Sequence, residues 1–142
     1  GVTAYVEIKR ASLRRFGRET VLKRVAETLK PVLDRCVVIS FDLPCLRVLR
    51  PMSGARIGWV LPTYDTEAHK AAEVAKPDFL FCNLERLPTD GSPYWPGPWQ
   101  WAVYEIRDLA TAREAQSRGA TFVESMAVRA MLSLYKEARR QW

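Results

Sequence analysis

A chain of 142 residues that is 48% apolar and 27% charged has the composition of an ordinary soluble domain, which excludes a disordered or low-complexity segment. No stretch approaches the roughly 18 consecutive apolar residues of a membrane-spanning helix, and no signal-peptide pattern opens the chain, so we expect a cytoplasmic protein. The net charge is +6, but the basic residues are scattered over predicted helices without interleaved aromatic side chains. This pattern favours solvated helix faces over a nucleic-acid interface.

Short β-rich runs alternate along the chain with segments of helical spacing. Strands are predicted at about 3–8, 36–41, 55–60, 78–82, 99–104 and 120–124. Helices are predicted at 18–34, 42–51 and 65–76, from an N-cap at Asp108 to Gly119, and at roughly 126–141. Pro31 should kink or restart the first of these helices.

Residues 84–98 contain four prolines and two glycines and are predicted to form one long loop. With Tyr94, Trp95 and Trp99 it would serve either as a lid or pocket wall or as a packed irregular connection. The three cysteines, which are widely spaced and include no Cys-x-x-Cys pair, are expected to be buried thiols: Cys36, Cys45 and Cys82.

Strand–helix alternation predicts a parallel sheet with right-handed crossovers. An open doubly wound sheet satisfies this pattern, and so does all or part of a (β/α)8 barrel, although a complete barrel usually takes about 250 residues. In both architectures the functional site lies at the carboxyl ends of the strands.

The first predicted strand ends in the main candidate residues, within the run Glu7-Ile8-Lys9. Side chains alternate along a strand, so Glu7 and Lys9 share one face, which would point into a barrel. A carboxylate there suits Mg²⁺ or Ca²⁺, and a neighbouring ammonium suits a phosphate bridged to that cation. A structural ion pair is the alternative.

Nucleophilic catalysis has little support in the sequence. The single histidine, His69, falls in a predicted surface helix and is expected to be an ordinary exposed residue. No Walker, Gly-x-Ser-x-Gly or Gly-x-Gly-x-x-Gly pattern occurs. The candidate residues therefore suit a site for a metal ion and a phosphate, without a neighbouring proton-transfer group.

Five short motifs, in their order along the chain, resemble those of the glycerophosphodiester phosphodiesterases. They are Glu7-Ile8-Lys9, "VVISFD" at 37–42, "RIGWVLP" at 56–62, "WAVYE" at 101–105 with "ARE…SRGA" at 112–120, and "TFVES" at 121–125. Members of that family are (β/α)8 barrels that hydrolyse glycerophosphodiesters to glycerol 3-phosphate and an alcohol in a metal-dependent reaction. The resemblance implies that residues 1–142 form a single incomplete barrel domain, an α/β partial TIM barrel of about six parallel strands that correspond to the family's strands three to eight.

The resemblance also implies site residues. Glu7 would be a ligand of Mg²⁺ or Ca²⁺, Lys9 would contact phosphate, and three residues would line the substrate side: Ser40, Phe41 and Trp101. The family's His-Arg-Gly, Glu-Asn-Thr and Glu-x-Asp motifs, which carry the catalytic histidines and most metal ligands, do not occur here. No catalytic residue is therefore assigned, and the chain alone is expected to be inactive.

Three hypotheses remain open. The chain is the C-terminal part of a phosphodiesterase that acts on a small-molecule glycerophosphodiester, or a non-catalytic remnant or phosphate-ligand binding module of the same fold, or an unrelated open α/β domain. A barrel that lacks two strands exposes hydrophobic edges, so the chain is a fragment of a longer protein, or it covers the gap by self-association or with a partner, or its six strands relax into an open sheet. The start at Gly1 favours a fragment.

Overall fold

The protein is a half-barrel of six parallel strands in a computed structural model that describes residues 2–133. The strands are β1 (Ala4–Glu7), β2 (Cys36–Ser40), β3 (Arg56–Val60), β4 (Phe79–Asn83), β5 (Gln100–Ile106) and β6 (Ala120–Ser125). Their order in the sheet is the order along the chain, and every neighbouring pair is parallel. A doubly wound sheet reverses its strand order at a switch point, so the open α/β alternative is wrong and the partial barrel is confirmed.

The helices lie between the strands much as predicted. They are α1 (Arg10–Phe16), α2 (Arg18–Leu29), α3 (Leu43–Ser53), α4 (Thr66–Ala75) and α5 (Leu109–Ser117). Pro31 stands at the start of a 3-10 turn, Lys30–Arg35, that follows α2, which confirms the predicted restart. The α1 helix was not predicted, because seven residues are too few for a clear apolar period.

Aspartate side chains begin three of these helices. Asp42, Asp65 and Asp108 each accept a hydrogen bond from a backbone N–H in the first turn of α3, α4 and α5. The predicted N-cap at Asp108 is thereby confirmed. Of the predicted last helix, residues 128–133 are helical; its further positions, Leu134, Tyr135 and Ala138, lie outside the described residues.

The sheet has two apolar faces that pack differently. Its outer face carries Val38, Leu80 and Val103, which are buried beneath the helices together with Cys45 and Cys82. The inner, concave face carries a smaller cluster formed by strand residues alone: Val37, Val60, Phe79, Phe81 and Ala102. All three cysteines are free and buried, as predicted. Most of the core therefore lies outside the half-barrel, and the concave face is left partly open.

The long loop after β4 packs on the outer face of the sheet. Tyr94 and Trp99 are buried in the helix-side core, and the Trp95 ring stacks on Tyr64 at 3.9 Å and on His69 at 4.7 Å. The lid prediction is therefore wrong for these aromatic residues, and the packed connection is what forms. His69, expected to be exposed, is only 29% exposed because Trp95 covers its ring.

Candidate functional site

A cavity of about 200 Å³ opens on the concave face at the carboxyl ends of the strands. This concave site is lined by Glu7, Ile39, Phe41, Val60, Phe81, Tyr104, Glu105 and Glu124. A larger recess of about 630 Å³ continues from it between the two edge strands and shares Glu7, Ile39, Phe81 and Glu124 with it. The site therefore combines an apolar floor with three carboxylates, at the end of the sheet where parallel-strand proteins bind ligands.

The structure brings Glu7 and Lys9 together at the rim of the concave site. Lys9 Nζ lies 3.6 Å from Glu7 Oε2, and the two side chains are 72% and 35% exposed. Glu7 is the last residue of β1, and Lys9 immediately precedes α1 in extended conformation. Their exposure leaves both groups accessible to a ligand, and a ligand that breaks the pair loses little, because an exposed ion pair typically contributes less than about 1 kcal/mol.

Phe41 also lines the concave site, as the resemblance implied. The Arg10 guanidinium lies 5.5 Å from the centre of its ring and donates a hydrogen bond to its carbonyl oxygen at 3.0 Å. A second cation thus stands next to Lys9 at the start of α1, and no sequence motif had indicated it.

Ser40 lies on the other face of β2, where it is fully buried. Its hydroxyl donates to the Ile8 carbonyl at 2.7 Å and accepts from the Asp42 N–H at 3.0 Å. The first bond ties the end of β1 to the end of β2, and the second is local to the segment after β2. Ser40 thus holds the segment that carries Glu7 and Lys9 and does not line the concave site.

Trp101 likewise faces the helices. Its indole N–H donates to the Trp95 carbonyl at 2.9 Å, and its ring is buried in the helix-side core. The neighbouring Ala102 is the residue that faces the concave site's recess. The sheet separates Ser40 and Trp101 from Glu7, so their predicted contact with substrate rests on the resemblance alone.

Sequence reasoning did not identify Glu105 as a site residue. It lines the concave site next to Tyr104 and Glu124 at the end of β5 and β6. The pKa of the Tyr104 hydroxyl is raised above its usual value, mainly by burial and also by the Glu124 and Glu105 carboxylates. Arg86 offsets part of this rise. Alternation along β5 gives no signal for Glu105, because the backbone departs from regular strand geometry there.

The described residues do not form a complete metal site. Three carboxylates line the concave site, but within residues 2–133 no three His, Cys, Asp or Glu side chains converge closely enough to hold an ion. The ammonium of Lys9 also lies against the predicted ligand Glu7. A hard cation normally binds several oxygen ligands, so Glu7 by itself does not fit a firmly held Mg²⁺ or Ca²⁺.

Comparison with known proteins identifies the fold. No protein-family model matches the chain, and no curated protein matches it in sequence. Among solved structures, an Oleispira antarctica phosphodiesterase in complex with the product sn-glycerol-3-phosphate aligns with a TM-score of 0.69 and 14% identity, over 94% of this chain and 55% of that one. A putative glycerophosphodiester phosphodiesterase from Galdieria sulphuraria aligns with a TM-score of 0.68 and 10% identity, over 93% and 56%.

A third solved structure has a different domain name. The Bacillus subtilis YkuI protein, which has an EAL domain and is in complex with its substrate c-di-GMP and calcium, aligns with a TM-score of 0.61 and 14% identity, over 89% of this chain and 36% of that one. The chain spans about half the length of the two phosphodiesterases. No helix within residues 2–133 is long and apolar enough to cross a bilayer. The chain has the fold of a partial, glycerophosphodiester phosphodiesterase-like barrel.

Proposed function

We propose that this chain is the C-terminal part of a glycerophosphodiester phosphodiesterase, which hydrolyses its substrate to glycerol 3-phosphate and an alcohol. The observation that carries the proposal is the Glu7–Lys9 pair at the rim of the concave site, at the carboxyl end of a barrel strand. Two phosphodiesterases with this fold over more than nine-tenths of the chain support it.

The site residues would bind and orient the substrate. The Lys9 ammonium attracts a phosphate at the rim, and the Glu7 carboxylate lies 3.6 Å from that ammonium. Phe41 offers an apolar wall on the same side of the site. Ser40 acts indirectly, since its buried hydrogen bond to the Ile8 carbonyl holds the ends of β1 and β2 together.

The reaction would need groups that the described residues do not supply. Divalent-cation dependence is part of the proposal, but the cation's remaining ligands and the proton-transfer groups would come from other parts of the protein, since Glu7 by itself does not hold the ion. Each proton-transfer group typically contributes 10²–10⁴-fold to the rate. We therefore expect the 142-residue chain alone to be inactive.

Hydrolysis of glycerophosphocholine, followed as release of glycerol 3-phosphate with Mg²⁺ or Ca²⁺, tests the proposal. The chain alone should show no turnover, whereas the chain extended by the residues encoded upstream in the same reading frame should turn over. Glu7→Ala or EDTA should abolish that activity, and Glu19→Ala, in the outer helix α2, should leave it unchanged. An inactive extended chain, or activity that survives Glu7→Ala, contradicts the proposal.

A phosphate-ligand binding module is the second candidate. The lack of a converging metal cluster within residues 2–133, beside an accessible Lys9, favours it. Titration with sn-glycerol 3-phosphate, monitored by NMR, distinguishes the two. Binding that is lost in Lys9→Ala, together with an inactive extended chain, would identify the module.

Self-association of the chain alone also remains a proposal. The edge strands β1 and β6 carry partly exposed aromatic rings, Tyr5 and Phe122, and Met126 and Val128 next to β6 are exposed as well. Unpaired edges with exposed apolar side chains tend to associate. Sedimentation velocity should find dimers or larger species that Phe122→Asp reduces and Val74→Asp, on the outer helix α4, does not.

A further inference from the structure

The backbone of Glu105 has an uncommon conformation. Two residues other than glycine have positive φ within residues 2–133: Lys76 at 44° and Glu105 at 66°. Lys76 is the C-cap of α4, where a left-handed residue commonly ends a helix. Glu105 lies inside β5, where a left-handed conformation is unfavourable for any residue with a Cβ atom.

A β-bulge accompanies this conformation. The register between β5 and β6 shifts between Val103 and Ile106, which places Glu105 at the irregularity. In a regular strand consecutive side chains point to opposite faces, but Tyr104 and Glu105 both line the concave site. Bulges are known to redirect side chains in this way. The left-handed backbone therefore places Glu105 as a third carboxylate in the concave site, at its boundary with a cavity of about 230 Å³ that Glu105 shares with Glu85 and Arg107.

Contacts within the described chain do not explain why a glutamate occupies this position. The ion pairs found among residues 2–133 do not include Glu105. Glycine would adopt the same backbone without strain. Strained residues that line a site are often used by that site, and the inference runs from the observed outlier to a function.

We infer that Glu105 is a specificity-determining residue of the concave site, which accepts hydrogen bonds from the hydroxyl groups of a bound polyol phosphate. The assignment of the phosphate end to Lys9 rests on the proposed function. An ionised carboxylate is purely an acceptor, so hydroxyl groups are suitable partners. The same charge repels phosphate, which orients the ligand with its phosphate toward Lys9 and its hydroxyl groups toward Glu105.

Binding of two probes to the 142-residue chain tests the assignment. The probes are sn-glycerol 3-phosphate, which has hydroxyl groups beside its phosphate, and inorganic phosphate, which lacks the glycerol. The wild type should prefer glycerol 3-phosphate, and Glu105→Gly should reduce its affinity for that probe about tenfold, the usual effect of losing one charge-assisted hydrogen bond. Affinity for inorganic phosphate should stay unchanged or increase. Glu27→Gly, at an exposed position of α2 far from the concave site, is the control and should keep the preference.

The melting temperature distinguishes a binding role of Glu105 from a structural one. If Glu105 stabilised the fold, its replacement would lower the melting temperature. Glu105→Gly should raise the melting temperature by about 3 °C, since the strained backbone is relieved. Glu27→Gly should lower it, because Glu27 lies inside the right-handed helix α2, where glycine is unfavourable. A stabilised variant that has lost its preference for glycerol 3-phosphate is the result expected of a residue that binds ligand.

Three outcomes overturn the inference: a wild type that binds neither probe, an unchanged preference in Glu105→Gly, or a lower melting temperature in that variant. The proposed function fails separately. If the extended chain hydrolyses nothing while Glu105→Gly still loses the preference, the binding role of Glu105 holds and the enzyme assignment does not. If hydrolysis occurs and Glu105→Gly keeps the preference, the enzyme assignment holds and the binding role of Glu105 does not.

Discussion

Replacing Ser40 by alanine should destabilise the protein far more than its small change in volume suggests. The Ser40 hydroxyl is fully buried and makes two hydrogen bonds, to the Ile8 carbonyl at 2.7 Å and from the Asp42 N–H at 3.0 Å. Alanine removes both bonds and leaves these two backbone groups without that partner. A net contribution of about 1 kcal/mol per bond, plus the cost of unpaired buried groups, lowers the free energy of unfolding by about 2–3 kcal/mol.

Ser53 offers a matched control within the same chain. Its hydroxyl also donates to one carbonyl, that of Leu49 at 2.9 Å, and accepts from one N–H, that of Ala55 at 3.2 Å, but it is only partly buried. Water can replace the lost partners there. Ser53→Ala should therefore cost only about 0.5 kcal/mol, near the lower limit for a single hydrogen bond.

Urea unfolding followed by circular dichroism measures both variants. With a slope near 2 kcal/mol per molar, Ser40→Ala should shift the midpoint by about 1 M, and the melting temperature should fall by roughly 8 °C. Equal costs for Ser40→Ala and Ser53→Ala, or a cost below about 0.5 kcal/mol for Ser40→Ala, would refute the reasoning that the buried hydroxyl holds β1 to β2.

Two further predictions concern the two faces of the sheet. A Cβ atom added at Gly58 would lie 2.8 Å from Phe81 Cε2 and 2.9 Å from Ile39 Cγ2, so Gly58→Ala should lower the free energy of unfolding by about 1–2 kcal/mol; an unchanged urea midpoint would show that the concave face relaxes freely. Burial raises the pKa of the Cys82 thiol from 9.0 to about 11, so the folded protein binds the thiol proton more tightly than the unfolded chain does. The stabilisation that results from this difference is complete below pH 9 and is lost as the pH rises through about 11. At pH 11, where the buried thiol is half ionised, the loss amounts to about 2 kcal/mol. In urea unfolding the wild type should lose that much more stability between pH 8 and pH 11 than Cys82→Ala does; parallel pH profiles of the two proteins would contradict it.

Local sequence patterns determined the six strands, most of the helices and their order along the chain. The β-branched run "CVVIS" of β2 and the aspartates that begin α3, α4 and α5 act within a few residues, and such signals can be read without knowing the tertiary structure. The position of Glu7 and Lys9 at a strand end followed from the same local reasoning. The alternation of strands and helices did not decide whether the strand order in the sheet is sequential, as in a barrel, or reverses, as in a doubly wound sheet, because both architectures show that alternation.

Tertiary packing decided which side chains reach the concave site. Ser40 and Phe41 are adjacent in the chain, yet one is buried under the helices and the other lines the cavity. The connection between β4 and β5 contains no α-helix. Trp101 and the aromatic residues of this loop cover the outer face of the sheet in its place. Glu105 reaches the site through a bulge whose register depends on how β6 pairs with β5. Sequence alone determined which strands form and which charges lie at their ends; only the pairing of strands and the packing of their two faces determined which of those side chains meet.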